Sequence, residues 1–323
     1  MNHPLFVAYS DTYLSWLLGD GDGKHPTNPV RAKLATELLA DCLADDMQIV
    51  DPAPRGSAKR DLAILNEVHD PAYVKRTLAG VNGEWRGTNK KVAAAGFAMF
   101  RGTIRAVEAI LSGKAKVAFN PQGAKHHARK NRSSGFCVFN DMAYAAKAFK
   151  AAGLKPLYID WDIHAGDGVY DMLKGEGIPT ISIHHANIYP GEFGIQSLDG
   201  TRREVHDEEN HAYGINVLGG DGDDVFIAAI DRAAEIIDTY KPDVLLVAAG
   251  ADGHTGTGNL GQIANYTEAG FKYAAEMTAA KALSYANGRV LIGGAGGYQP
   301  LKETPETWAL VVSTIYNNIK KGA

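Results

Sequence analysis

The pentapeptide Asp160-Trp161-Asp162-Ile163-His164 stands directly after the apolar run Leu157-Tyr158-Ile159. Side chains along a strand alternate between its two faces, so Asp160, Asp162 and His164 are expected to point the same way. Two carboxylates and an imidazole at the exit of a buried strand are costly to desolvate unless they bind something. Imidazole combined with carboxylate suits a divalent transition metal, zinc or iron. Taken alone, the same five residues also read as an acidic strand end followed by a surface histidine.

Four further segments carry chemistry-bearing residues. Lys125-His126-His127-Ala128 is followed by Gly135-Phe136-Cys137, and Gly166-Asp167-Gly168 comes just after His164. Ala249-Gly250-Ala251-Asp252 ends the run Val244-Leu245-Leu246-Val247, and Gly293-Gly294-Ala295-Gly296-Gly297-Tyr298 ends Val290-Leu291-Ile292. A histidine titrates near neutrality, so either ring of the His126-His127 pair can accept and return a proton. On its own, such a pair is most simply two loop histidines. Asp252, in Ala251-Asp252-Gly253, reads equally well as a turn former. A Gly-rich turn ending in a packed tyrosine is common, but it does not explain four glycines in the five residues before Tyr298. Glycines let backbone approach a reacting centre closely.

The elements that must position these groups follow from the aliphatic runs. Strands are expected over 5–9, 116–120, 156–162, 180–184, 214–218, 243–249 and 289–293. Helical patterns lie between many of them. One opens at Asn28-Pro29, with Asn as N-cap and Pro in the first helical position, and carries Leu34, Leu38 and Leu39 on one face. Others cover 92–111, 141–152, 223–240, 266–286 and 305–320. Near-continuous apolar strands alternating with helices predict an α/β fold: a central, mostly parallel sheet with helices on both faces. Ligands of such sheets sit outside the carboxyl ends of the strands. Long loops over 121–134, 186–213 and 252–265 fall at those ends and read as functional.

Composition narrows the class. The chain has 323 residues, 45% of them hydrophobic. At about 150 residues per domain the length suggests two units. No linker, charge block or low-complexity stretch divides it, so residues 1–323 are expected to form a single domain. The net charge of −4, with both signs interspersed, argues against nucleic-acid binding. Cys42 and Cys137 make no disulfide framework. The start Met1-Asn2-His3-Pro4 lacks a signal segment and no apolar run reaches membrane length, so a cytoplasmic protein without membrane partners is expected.

These motifs, in this order, resemble the histone deacetylase superfamily, including the bacterial acetoin-utilisation-type and acetylpolyamine deacetylases. The resemblance runs nearly end to end, from His25-Pro26 and Pro29-Val30-Arg31 to Tyr298. It implies an arginase/deacetylase-like fold and a zinc-dependent amidohydrolase acting on non-peptide C–N bonds, with iron as the alternative metal. The expected substrate is an acylated amine: acetyl-lysine, an acetylpolyamine or a small metabolite. The resemblance makes Asp162, His164 and Asp252 the metal ligands, leaving a position open for water and substrate. Two carboxylates and a neutral imidazole would cancel the metal's charge, so bound water would be acidified less than in a three-histidine site and would need an external base. By the same carry-over Asp160 backs His126 and Asp167 backs His127, each fixing a tautomer and raising basicity. His127 is then the main general base and acid, His126 stays charged, and the Tyr298 phenol stabilises the oxyanion. Phe136 and Tyr189 are implied as walls of a narrow channel, with Gly135 and Gly296 beside them, although ordinary core packing is the competing reading, for Tyr189 above all. Arg31 matches an arginine near an internal product channel, although a solvated helix face explains it almost as well. A structural potassium ion near Asp160 and Ser182 is implied by the family alone.

Three features depart from the pattern. Position 165 is Ala where many members have a second histidine, Lys125 replaces a Gly or another residue before the double histidine, and the loop 81–90 lacks the aspartate that grips peptide backbone, with Glu84 nearby. The last favours small acylated amines over protein. Two other readings stay open. A two-metal ureohydrolase on a related fold would want Asp-x-His-x-Asp and a second Asp-x-Asp cluster, whereas the later strand offers only Asp252. A catalytically silent ligand-binding protein on this fold is the third. The oligomeric state is left open.

Overall fold

The computed structural model describes residues 3–19, 25–190, 204–256 and 263–322. Its strands are β1 (Leu5–Ala8), β2 (Met47–Val50), β3 (Val117–Asn120), β4 (Pro156–Asp160), β5 (Thr180–His185), β6 (Glu204–Asp207), β7 (Ala212–Val217), β8 (Val244–Ala248) and β9 (Val290–Gly293). They form one sheet in the order β2-β1-β3-β9-β8-β4-β5-β7-β6. Every pairing is parallel except that of β6 with β7. All residues of β3, β9, β8 and β4 are buried, which is why their sequences run apolar without alternation.

The helices are α1 (Val30–Leu43), α2 (Ala58–Val68), α3 (Pro71–Leu78), α4 (Lys90–Leu111), α5 (Asp141–Ala151), α6 (Asp167–Leu173), α7 (Asp223–Tyr240), α8 (Glu268–Tyr285) and α9 (Glu303–Gly322). Leu39 of α1, Phe226 of α7, Phe271 of α8 and Trp308 of α9 close one core with Leu157, Ile159, Leu245 and Ile292. Val107 of α4, Met142 and Phe149 of α5, and Val169 of α6 close the other with Tyr158, Leu246 and Leu291. The strand register levels the carboxyl ends. Asn120 pairs with Gly293, Gly293 with Ala248, Ala248 with Asp160, and Asp160 with Ser182. The segments bearing the candidate site leave the sheet from this one row.

Several elements differ from expectation. Strand β4 stops at Asp160 instead of continuing to 162, because side chains capture the backbone that a ladder would have used. Asp160 Oδ1 accepts the Asp162 N–H at 3.0 Å, and Asp162 Oδ1 accepts the His164 N–H at 2.9 Å. The gathering of these residues is therefore a property of a side-chain-capped turn and not of strand alternation. Helix α1 begins at Val30, one residue after the expected position, and Asn28 Oδ1 still accepts the Val30 N–H at 3.0 Å. Strands β2 and β6, partly exposed at the two sheet edges, and helices α2, α3 and α6 were not expected. Of the expected loops, 191–203 and 257–262 lie outside the described residues.

One buried histidine ties the loop after β3 to the helical layer. His69 Nδ1 donates to the carbonyl of Arg129 at 3.0 Å, and its Nε2 accepts the Asn140 N–H at 2.9 Å. Asn140 caps α5 and also donates to the Ala128 carbonyl at 2.9 Å. Burial lowers His69 to about 4, so the folded protein needs the neutral ring. The unfolded chain takes up that proton below the ordinary histidine value of about 6.5. The contribution of His69 is therefore whole above about 6.5 and is lost as pH falls toward about 4. His69→Phe should cost about 1–3 kcal/mol at pH 7 in denaturant unfolding, from the orphaned N–H and carbonyl. The gap to the natural protein should narrow by pH 4.5; a gap independent of pH would show that the neutral ring is not what matters.

Candidate active site

Asp162, His164 and Asp252 meet just outside the row of strand ends. Their three ligand atoms lie within 4.8 Å of one another and all three residues are buried. His164 Nδ1 is 2.8 Å from Asp252 Oδ2 and 3.0 Å from Asp162 Oδ1. Backbone N–H groups hold the outer faces of both carboxylates: Gly296 N donates to Asp162 Oδ2 at 2.6 Å and Ile163 N to Asp252 Oδ1 at 3.0 Å. The approach depends on missing side chains. A Cβ at Gly296 would lie 2.5 Å from an oxygen of each carboxylate, and one at Gly250 would lie 2.4 Å from Asp162 Cα. Burial and then the neighbouring Asp162 push Asp252 up to about 6. His164 is buried too, yet the two carboxylates raise it to about 10. A positive charge is thus strongly favoured at the point where the three donors converge. Two carboxylate oxygens and one imidazole nitrogen at this separation fit a divalent transition metal.

Two histidine–carboxylate pairs flank the triad. His126 Nδ1 is 2.8 Å from Asp160 Oδ2, and His127 Nδ1 is 2.6 Å from Asp167 Oδ1. Both rings are buried, their centroids 4.0 Å apart, with the Nε2 edges left for chemistry. His126 Nε2 lies 3.9 Å from Asp162 Oδ2. Burial opposes charge on His126, but Asp160 and Asp162 outweigh it and raise the ring to about 9. Burial and then the charged His126 lower His127 to about 4. Arg129 Nη2 donates to Asp167 Oδ2 at 2.5 Å, so the second carboxylate is shared with a guanidinium. Arg129 was not singled out in the sequence; its only signal is a cation two positions after His127.

Tyr298, Phe136 and Tyr189 line a cavity of about 480 Å³ that reaches His127 and His164. The Tyr189 ring stands edge-on to His127 at 5.0 Å, and the Tyr298 ring edge-on to His164 at 6.2 Å. Burial and then the Asp252 and Asp162 carboxylates raise the Tyr298 phenol well above its ordinary value, so it stays protonated and can donate. Gly135 has φ +53°, and a Cβ there would meet His127 Cδ2 at 2.4 Å. Tyr189 is 46% exposed and its hydroxyl bonds Ser134 Oγ at the mouth, so it is a rim wall and not a core residue.

Glu84 is on the same wall: its Oε2 accepts the Phe136 N–H at 2.9 Å. Arg31 is buried, not on a solvated helix face, with Nη1 donating to the Gly297 carbonyl at 2.5 Å. Asp160 and Ser182 are register partners, and Ser182 Oγ accepts the Gly166 N–H at 3.2 Å. Ala165 packs against Tyr170 and Ala212, where an imidazole would not fit without repacking. Among the described residues, no helix is long and apolar enough to cross a membrane.

The sequence profile of the histone deacetylase domain matches residues 25–315. The acetoin utilization protein AcuC of Bacillus subtilis (strain 168) is 30% identical, over 96% of this chain and 81% of that protein. Its namesake in Staphylococcus aureus (strain MRSA252) is 28% identical over 98% and 82%. A probable deacetylase of Archaeoglobus fulgidus is 31% identical over 64% of this chain and 56% of its own length. The match spans every strand but β1, the triad, both histidine–aspartate pairs and Tyr298, and the chain belongs to the histone deacetylase domain family.

Proposed function

We propose that the protein is a zinc-dependent deacetylase, formed by residues 1–323 as one cytoplasmic catalytic domain, that removes an acetyl or similar acyl group from an amine. One observation carries the reading: the buried triad Asp162, His164 and Asp252 lies at the foot of an aromatic channel, between two histidine–aspartate pairs and a protonated tyrosine. Zinc held by the triad would act as a Lewis acid on the amide carbonyl and lower the pKa of water. His127, neutral above about pH 4, takes the proton of the attacking water and passes it to the leaving amine. His126, held charged by Asp160, stabilises the negative charge that develops beside it. Tyr298 donates its phenol hydrogen to the same oxyanion. Phe136 and Tyr189 grip the alkyl chain that carries the amide. A potassium ion near Asp160 and Ser182 belongs to this reading as a structural ion, and nucleic acid does not. Among the described residues the metal-holding cluster is the triad, where a ureohydrolase would need two such clusters.

Purified protein should carry one zinc per chain, and Asp162→Ala and Asp252→Ala should each abolish it. Stoichiometric metal surviving both changes would sink the assignment. Chemistry and binding separate at Tyr298. Tyr298→Phe should keep the metal and the fold while kcat falls roughly 10²–10³-fold, the usual cost of an oxyanion donor. His127→Ala should be at least as severe, and near-normal turnover in either variant would assign the step elsewhere.

Substrate size follows from the channel. Acylation removes the charge of an amine, so the chain can enter an apolar slot without burying an ion. The one carboxylate described on the wall, Glu84, is engaged by the Phe136 backbone. We therefore expect kcat/KM for N-acetylputrescine and free acetyl-lysine to equal or exceed that for an acetyl-lysine peptide. A strong preference for the peptide would restore a protein substrate.

A further inference from the structure

A second, narrower cavity opens from the same centre. It shares His127, Phe136 and Tyr298 with the channel and is lined in addition by Arg31 and Lys125. Its volume is about 20 Å³, room for a group one or two waters in size. Two buried cations face this space. Arg31 is 2% exposed, lies 5.1 Å over the Trp308 ring, and its Nε has no partner. Lys125 is 8% exposed; its Nζ bonds Gln122 Oε1 at 3.2 Å and sits 5.8 Å over the Trp16 ring. The Nε2 of buried Gln122 is also without a partner.

The charges around them do not balance. Asp162 and Asp252 would be matched by the metal, Asp160 is matched by His126, and Asp167 by Arg129. Among the described residues no carboxylate lies within ion-pair distance of Arg31 or Lys125. Asp141 lies near Lys125, but its oxygens take the N–H groups of Ala124 and Lys125 and the Thr103 hydroxyl. Cys137, on the same wall, offers no thiolate, because burial pushes its thiol up to about 12. Two cations therefore meet one nearby anion, and a buried positive charge without a partner is expensive. The pinned Ala124–Lys125 backbone, with Ala124 at φ +57°, keeps the lysine aimed here at that cost.

We propose that this inner cavity is a carboxylate subsite, so that the enzyme removes a short acyl group ending in a carboxylate, a malonyl group, as well as acetyl. The inference rests on the deacylase reading above. With the amide carbonyl at Tyr298, the far carbon of an acetyl group points past the triad. Replacing one hydrogen of that carbon by a carboxylate adds a group of the size the cavity holds. The added charge meets Lys125 and Arg31 and supplies the missing anion, while the orphaned Nε–H of Arg31 gains an acceptor. Hydrolysis adds water across the C–N bond and releases the amine and malonate, with no change of oxidation state. Longer dicarboxylic acyl groups overrun the space.

The test compares kcat/KM for one amine carrying acetyl, malonyl, the methyl ester of malonyl, and glutaryl. The natural protein should hydrolyse the malonyl amide at least as well as acetyl, and at least about tenfold better than its uncharged ester, the worth of a hydrogen bond to a charged group. Glutaryl should be poor. Lys125→Met should lower the malonyl-to-acetyl ratio at least about tenfold and Lys125→Arg should preserve it. Hydrolysis of acetyl without malonyl, no gain over the ester, or a ratio unmoved in Lys125→Met would each overturn the subsite. If even the acetyl amide is untouched, the deacylase reading fails instead, and calorimetry then decides the subsite. Free malonate should bind the natural protein at least about tenfold more tightly than acetate, and equal affinities would overturn it.

Discussion

Two carboxylates buried side by side impose the condition that the rest of the site meets. At an effective dielectric of about 20, charges roughly 4–5 Å apart repel by on the order of 3–4 kcal/mol. Asp162 and Asp252 are at such a separation, and their answer is visible in the upward push on Asp252 and on His164. Neither carboxylate relaxes outward. The Gly296 and Ile163 N–H groups hold their far oxygens, and Gly250 and Gly296 let backbone close in where any Cβ would collide. The site is stiff because its hydrogen-bond donors are main chain. A cation held between the two carboxylates would relieve their repulsion without movement.

That stiffness is inherited from the sheet. Asn120, Gly293, Ala248 and Asp160 end four adjacent strands in one level row, with Ser182 of β5 paired beside Asp160, and these parallel strands hand their chain to the same rim. Helices on both faces bury the central strands β3, β9, β8 and β4 completely, so the rim is the place where polar side chains can collect. Trp308 shows how closely helix and rim are joined: its Nε1–H donates to the Ala249 carbonyl at 2.9 Å, just before the Gly250–Asp252 turn.

Much of this was legible in the sequence. The apolar strands that lack alternation announced a sheet covered on both sides, and the polar residues at their ends announced the rim. Legibility failed where side chains override backbone habit. Nothing in Asp160-Trp161-Asp162 announces that a carboxylate will accept the N–H two residues on and end the strand. Asp162 and His164 converge through this turn and not through strand alternation, while Asp160 bonds His126 instead. Edge strands β2 and β6 were missed because four residues, partly exposed, carry neither a buried run nor a clean alternation. Helix α3 had a readable start, Asp70 followed by Pro71, with Asp70 capping two backbone N–H groups. Arg31 and Lys125 drew notice only through the family resemblance, because burial of a cation leaves no mark in the sequence itself.

The adjacent histidines show how far chemistry is set by what lies one layer out. His126 and His127 are the same residue type, equally buried, each bonded through Nδ1 to an aspartate. Their proton affinities nevertheless move in opposite directions. The difference begins with Asp162, which adds its charge to that of Asp160 on His126, and the charged His126 then lowers the buried His127. Asp160 takes its other bonds from the Tyr158 hydroxyl and the Asp162 N–H, neutral donors that leave its charge for His126. Asp167 divides its charge between His127 and the Arg129 guanidinium. One histidine thus faces an undivided carboxylate and keeps its proton. The other faces a carboxylate already matched, next to a ring already charged, and gives its proton up. The proposed division of labour between them requires no difference in the histidines themselves, only a second carboxylate, Asp162, beside one ring and that ring's charge beside the other.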